Sequence, residues 1–281
     1  MTEPGVPPAG WSQRSQALVS GLHPGTESSL TTDLPRLALL QARRPSDPAR
    51  EDEHAAFAAR LCLPIESVIC IDILETILDD RVLEGVDGLL VGGAGEFSVL
   101  DDYAPIRRFV DFIAHTASDV SIPVFASCFG FQALVLGLGG DVVADEDNAE
   151  VGSYRIRLTE AGQQDGFFGG LPSEFMAQLG HKDRASRLPA QLQCMAYSEK
   201  APVQAVRMAG RPVFATQFHP ELTGHNNRQR FLGYMEQYGR LFGEEEAQRR
   251  LDSHVDSPEA NSLLRRFVDE FIRSSPRRVT T

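Results

Sequence analysis

The 281-residue chain lacks any run of eighteen apolar residues, so nothing in it reads as a membrane-spanning helix. It is short of basic residues, with 27 Lys and Arg against 39 Asp and Glu and a formal net charge of -12. Affinity for a nucleic-acid backbone leans on clustered Lys and Arg, so no nucleic-acid partner is expected. A small anionic substrate is still compatible, because one local site can oppose the global sign. Only four cysteines are present, Cys62, Cys70, Cys128 and Cys194, and none forms a CxxC pair. A chain of this length, 42% hydrophobic, can bury a sizeable core without disulfide staples. Reduced thiols and a cytoplasmic location are therefore expected. HExxH and Cys/His metal spacings are missing too, so neither a metal nor a cofactor is expected. The opening "MTEPGVPPAGWSQRSQ" has no basic n-region and no apolar h-region, and does not read as a signal peptide.

Residues 1–35 are rich in Pro, Gly, Ser and Thr without sustained periodicity, and read as a disordered tail. From Leu37 the pattern changes. "LALLQA" (37–42), "SVICIDIL" (67–74), "GLLVGG" (88–93) and "PVFAS" (123–127) read as strands buried on both faces. Between them, 49–61 and 104–117 repeat apolar residues at helical spacing. This alternation predicts βαβ crossovers in an α/β fold, a flavodoxin-like three-layer sandwich with a mostly parallel sheet. After Gly140, "SYRIRLTE", "EFMAQLG", "LQCMAYSE", "VQAVRM" and "PVFATQF" are strand-like, with "AGRP" as a turn. Two helical stretches follow, about 225–242 and 243–274. Glu245/Arg249 and Glu246/Arg250 form i,i+4 pairs in the second, and Ser257 before Pro258 reads as an N-cap. Leu263 to Ile272 form an apolar stripe, read as core packing. The expected domains are a tail at 1–35, a main domain at 36–242 and a C-terminal helical extension at 243–281.

Sites in an open parallel sheet gather beyond the carboxyl ends of the strands. Two loops qualify, "GGAGE" after the third strand and "SCFG" after the fourth. The first is no dinucleotide fingerprint, because Ser98 stands where a third glycine would be, and no Walker lysine follows. Its glycines suit an oxyanion-binding turn. Cys128 lies between a strand and a helix start, where a tight turn exposes a nucleophile and the helix N-terminus favours a thiolate. Cys62, Cys70 and Cys194 fall in apolar or strand patterns and read as packing. Of the seven histidines, His219 ends a strand with Glu221 two residues on, in "ATQFHPEL". On extended backbone that spacing sends both side chains to one side, so Glu221 can hold one imidazole nitrogen while the other faces the thiol.

"ASCFGFQ" (126–132) and "FHPE" (218–221) resemble the cysteine elbow and the later H-P-E of the class I (triad-type) glutamine amidotransferases. "LLVGGAGE" resembles that family's oxyanion segment. "GHKDRASRLP" (180–189) is similar to the H-x-D segment of its GMP-synthase-glutaminase-like members. The resemblance spans about 37–242. Ala126 and Ala94 stand where the family has glycine and proline.

The resemblance implies a γ-glutamyl thioester on Cys128, with His219 as acid and base and Glu221 as its orienting group. It implies an oxyanion hole from the N–H groups of Gly93 and Phe129. It also implies substrate contacts from Gln132, His181, Lys182, Gly92 and Ala94. The substrate would be glutamine or a γ-glutamyl compound, and the partner a synthase or ligase on another chain. Two alternatives stand beside this: a stand-alone γ-glutamyl peptide or amine hydrolase or transferase, and an inactive binding or regulatory homologue.

Overall fold

The computed structural model describes residues 34–274, so the expected tail lies almost wholly outside the described residues. Strands β1 (Leu37–Ala42), β2 (Val68–Asp72), β3 (Gly88–Ala94) and β4 (Val124–Ser127) alternate with helices α1 (Ala49–Leu61), α2 (Ala104–Asp119) and α3 (Phe129–Gly137). Next come β5 (Asp141–Ala144), β6 (Glu150–Leu158), the short α4 (Glu160–Gln164), β7 (Glu174–His181) and β8 (Asp183–Arg187). Strands β9 (Leu192–Tyr197), β10 (Ala205–Met208) and β11 (Val213–Thr216) complete the sheets.

Nine strands form one sheet in the order β2-β1-β3-β4-β11-β10-β9-β6-β7. The first five are mutually parallel and carry the α/β crossovers; the other four extend the sheet antiparallel. Alternation along the parallel strands builds the layers. Ala38, Leu40, Leu89, Val91, Val124 and Ala126 face α2 and α3 on one side. Leu37, Leu39, Leu90 and Phe125 face the other side, with Phe57 and Leu61 of α1. Strands β5 and β8, which the pattern did not announce, pair as a separate two-stranded ribbon. Their alternation is weak, with only Val142 buried in β5.

The helical tail is more broken than periodicity suggests. It forms α5 (Gly224–Gly233), α6 (Met235–Phe242), α7 (Glu244–Asp252) and α8 (Pro258–Phe267), with a π-turn at Val268–Ile272. Gly243, at φ +86°, ends one helix and starts the next, a torsion glycine adopts without strain. Arg250 pairs with Glu246 as expected, but Arg249 also turns to Glu246 rather than to the Glu245 carboxylate. Ser257 occupies the N-cap position without capping α8, because its hydroxyl accepts from Gln178 Nε2 at 3.1 Å. Leu263, Leu264, Phe267 and Val268 are fully buried in the cluster that holds Phe125 and Phe214. The rings of Phe125 and Phe267 meet edge to face at 5.6 Å. The stripe is core, and α8 completes the layer begun by α1. Among the described residues no helix is long and apolar enough to cross a membrane.

Candidate active site

β4 and β11 run side by side, so their carboxyl ends deliver Cys128 and His219 to one place. The Cys128 N–H continues the ladder, donating to Thr216 O at 2.7 Å, and then the chain turns sharply with Cys128 at φ +49°. Positive φ is costly for a side chain with a Cβ, and such strain persists only where the surroundings enforce it. Here the enforcement comes from α3, which starts at the next residue and packs hard on β3 and β4. A Cβ on Gly130 would lie 2.6 Å from Val91 Cγ1 and 3.0 Å from Ala126 Cβ, so only glycine permits this approach. The thiol is buried at the helix N-terminus.

The His219 N–H donates to Gln178 O at 2.8 Å and fixes the turn after β11. Its Nδ1 meets Glu221 Oε1 at 2.6 Å, which leaves Nε2 for the Cys128 thiol, to which the ring is hydrogen-bonded. Burial alone would pull the imidazole down, but the charges of Glu221 and Cys128 and the bonds to both outweigh it. They push His219 up to about 10. Burial would likewise raise Glu221, yet the charges of His219 and Arg230 hold it below the usual carboxylate range. His219 is thus set to carry a proton at neutral pH, as an acid poised beside a sulfur nucleophile.

Two cavities meet at this pair. One, of about 620 Å³, is lined by Cys128, Phe129, Gln132, Ala94, His181 and Lys182 among others. The second, of about 340 Å³, is lined by His219 and by residues of α5 and α6. Phe129, as the first residue of α3, has one of the N–H groups that a helix leaves unpaired internally. Gln132 is buried, and its Nε2 donates to Asp183 O at 2.7 Å and to Gln217 Oε1 at 3.2 Å. Gln217 Nε2 in turn approaches Cys128 Sγ at 3.7 Å. Lys182 is exposed at the rim, 3.4 Å from Glu146.

Three expected contacts differ from the sequence reading. The Gly93 N–H donates to the buried Glu53 Oε1 at 3.1 Å, so in this structure it does not face the thiol cavity as an oxyanion donor. Gly92 is covered by the same carboxylate, whose atoms lie 2.7 Å from where its Cβ would be, and it has no place on the cavity wall. His181 lines both cavities, but its ring is spoken for: Nδ1 contacts Asp183 O at 3.1 Å and Nε2 contacts Glu150 Oε2 at 3.2 Å. Cys62, read as packing, is exposed and closes α1 at φ +54°.

Sequence reasoning missed Glu53, Arg43, Gln41, Glu150, Gln217 and Arg230. Glu53 accepts from Arg43 Nη2 at 3.1 Å and from Gln41 Nε2 at 3.0 Å, a buried cluster behind the β3 turn. One signal was readable: Glu53 falls between Ala49 and Phe57, on the apolar side of α1. Among the described residues no group of three or more His, Cys, Asp or Glu is placed to hold a metal ion.

The family model described as glutamine amidotransferase class-I matches residues 65–234. The glutamine-hydrolyzing subunit of a GMP synthase from Thermoplasma acidophilum is 30% identical over 167 residues, covering 57% of this chain and 78% of that protein. Its counterpart from Methanocaldococcus jannaschii, of the same name, is 27% identical over 149 residues, 53% of this chain and 70% of that one. Against a GMP synthase (glutamine-hydrolyzing) from Thermosipho africanus the identity is 31% over 134 residues, and the match spans only 24% of that protein. A crystal structure of a glutamine amidotransferase from Thermotoga maritima superposes with a TM-score of 0.63 at 19% identity, covering 86% of this chain and 99% of that one. At that identity the superposition speaks for the fold alone.

Proposed function

Because the chain belongs to the class-I glutamine amidotransferase family, we propose that it hydrolyses the side-chain amide of glutamine and passes the ammonia to a synthase on another chain. The observation that carries this reading is the convergence of the Cys128 thiol, the His219 imidazole and the Glu221 carboxylate at the ends of β4 and β11. In this mechanism the sulfur attacks the amide carbon, and the oxyanion so formed accepts from the Phe129 N–H. As the C–N bond breaks, His219 gives its proton to the departing nitrogen. Water then enters, His219 takes its proton, and attack on the thioester carbon releases glutamate and restores the sulfur. Glu221 holds the imidazole by Nδ1 and balances its charge throughout. Gln132, Ala94 and Lys182 shape the cavity for the amino-acid end. The two relatives named as separate GMP synthase subunits support a synthase on its own chain as the recipient of the ammonia.

The test is ammonia release from glutamine by the purified chain, alone and with a synthase. Cys128→Ala is expected to lower the rate by more than about 10³-fold. A glutamine-analogue electrophile is expected at Cys128, since burial pushes the Cys70 thiol up to about 11 and raises Cys194 as well. Labelling at the exposed Cys62 with Cys128 untouched would overturn the assignment.

A further inference from the structure

The thiol and the imidazole open onto different spaces. Cys128 lines the larger cavity, His219 the smaller one behind it, and Gly180 and Tyr234 belong to both walls. A Cβ on Gly180 would lie 3.8 Å from His219 Nε2, so the passage between the two runs past the nitrogen that moves the proton. In an acyl transfer through Cys128, the γ-glutamyl group sits on the sulfur side, while the leaving amine and the incoming nucleophile sit on the imidazole side. The smaller chamber is therefore where the leaving group goes.

Its size and chemistry exceed what ammonia or water requires. One water needs about 10–15 Å³ of such space, whereas the chamber offers about 340 Å³. Its wall carries Arg43, Asn227, Arg230, Tyr234 and Tyr238 beside His219. Among the described residues, Nε of Arg43 and Nη2 of Arg230 are buried without a hydrogen-bond partner. Arg43 is only 4% exposed. Buried guanidinium donors left unpaired cost free energy, and a planar donor fork is shaped for carboxylate. Arg230 acts on Glu221 through its charge, while its Nη2 stays unpaired among the described residues, so its fork is not consumed by the triad.

From this we infer a further activity: the chain cleaves γ-glutamyl amides whose amine half bears a carboxylate, with that carboxylate held by Arg230 and Arg43 in the chamber behind His219. This rests on the thioester mechanism proposed above. The step balances in the same way. The S–C bond forms and the C–N bond breaks, the His219 proton goes to the departing nitrogen, and an amino acid leaves in place of ammonia. Water then hydrolyses the thioester.

The experiment compares kcat/KM for γ-glutamylglycine and γ-glutamylmethylamide, which share the substituted amide and differ in the carboxylate. The expected preference for γ-glutamylglycine is about 10–100-fold, the range for a charge-assisted contact. Arg230→Met is expected to collapse that ratio to within about threefold, and Arg230→Lys to keep part of it. Using the ratio cancels any general loss in the variant. In parallel, calorimetry on the Cys128→Ala protein is expected to show the same preference in binding. Equal rates for the two amides in the wild type, or a preference that survives Arg230→Met, would overturn the inference. Glutamine hydrolysis without any carboxylate preference defeats only this inference. Absence of turnover on every substrate defeats the proposed function instead, and the calorimetry then still decides the chamber.

Discussion

The backbone N–H of Gly93 and the Glu53 carboxylate are bonded at 3.1 Å, joining the β3 turn to a helix forty residues earlier. Arg43 and Gln41 hold the carboxylate from its other side. With that N–H committed, the cavity offers the oxyanion one donor fewer than the family pattern implies. A missing donor is worth about 10²–10³ in rate. The isolated chain is therefore expected to hydrolyse glutamine slowly, and to speed up when a bound synthase turns the Gly93 peptide. Steady-state kcat with and without the synthase checks this, and full-speed turnover by the chain alone would contradict it.

The same carboxylate is structural. Glu53→Ala leaves the buried Arg43 guanidinium with Asp47 as its remaining ion pair, at 2.9 Å. Breaking a buried pair by removing one partner costs about 3–5 kcal/mol. Denaturant unfolding is expected to show a loss in that range, against a small one for exposed Glu51→Ala.

The proton held by His219 sets the alkaline limit. Its folded pKa of about 10 lies above the ordinary value of 6.5, so its stabilising contribution is fully present below about pH 6.5. That contribution is lost as pH rises from there through about 10. Activity that needs the imidazolium as acid is expected to fall on the same limb. Glu221→Gln removes a charge that raises His219 while burial goes on lowering it, so the limb of kcat/KM moves to lower pH. A limb that stays in place in Glu221→Gln would show that Glu221 does not set the His219 pKa.

Gly130 fixes where the nucleophile stands. Gly130→Ala puts a methyl 2.6 Å from Val91 Cγ1 and forces α3 off β3, carrying Cys128 and the Phe129 N–H with it. The expected result is a folded protein with kcat reduced at least tenfold and a lower Tm. Gly166, in the exposed turn after α4, has nothing within 4 Å of an added Cβ and serves as the contrasting site.

How much of this the sequence revealed depends on what each feature is made of. β1 and α1 have the bounds their periodicity predicts, because alternation and 3.6-residue spacing are local. The helical tail broke at Gly243 through one backbone torsion, which flanking helix formers conceal. Cys128, His219 and Glu221 were legible because unusual residue types closed apolar strands. Glu53 and Arg43 were not, since charged side chains near a helix start read as a solvent face until the register is drawn. Arg230 was hidden for a different reason: its chamber exists only because α5 and α6 bend at Tyr234 over the end of β11.

The C-terminal helix reaches the chemistry through one side chain. Asn261 of α8 is buried, and its Nδ2 donates to Pro220 O at 2.7 Å and to Leu222 O at 2.8 Å. Those carbonyls flank Glu221, so α8 clamps the turn that carries both His219 and its carboxylate. Asn261→Leu keeps the side-chain volume but leaves two buried carbonyls unpaired, at about 1–3 kcal/mol each. It is expected to lower kcat with a smaller change in KM, because the substrate cavity does not touch this clamp. Phe267→Ala lies further along α8, against Phe125 and Phe214. It is expected to cost about 3–5 kcal/mol in unfolding free energy, with kcat per folded molecule held closer to wild type. If Asn261→Leu instead lost only stability and kept wild-type kcat, α8 would be a packing element with no part in positioning the triad.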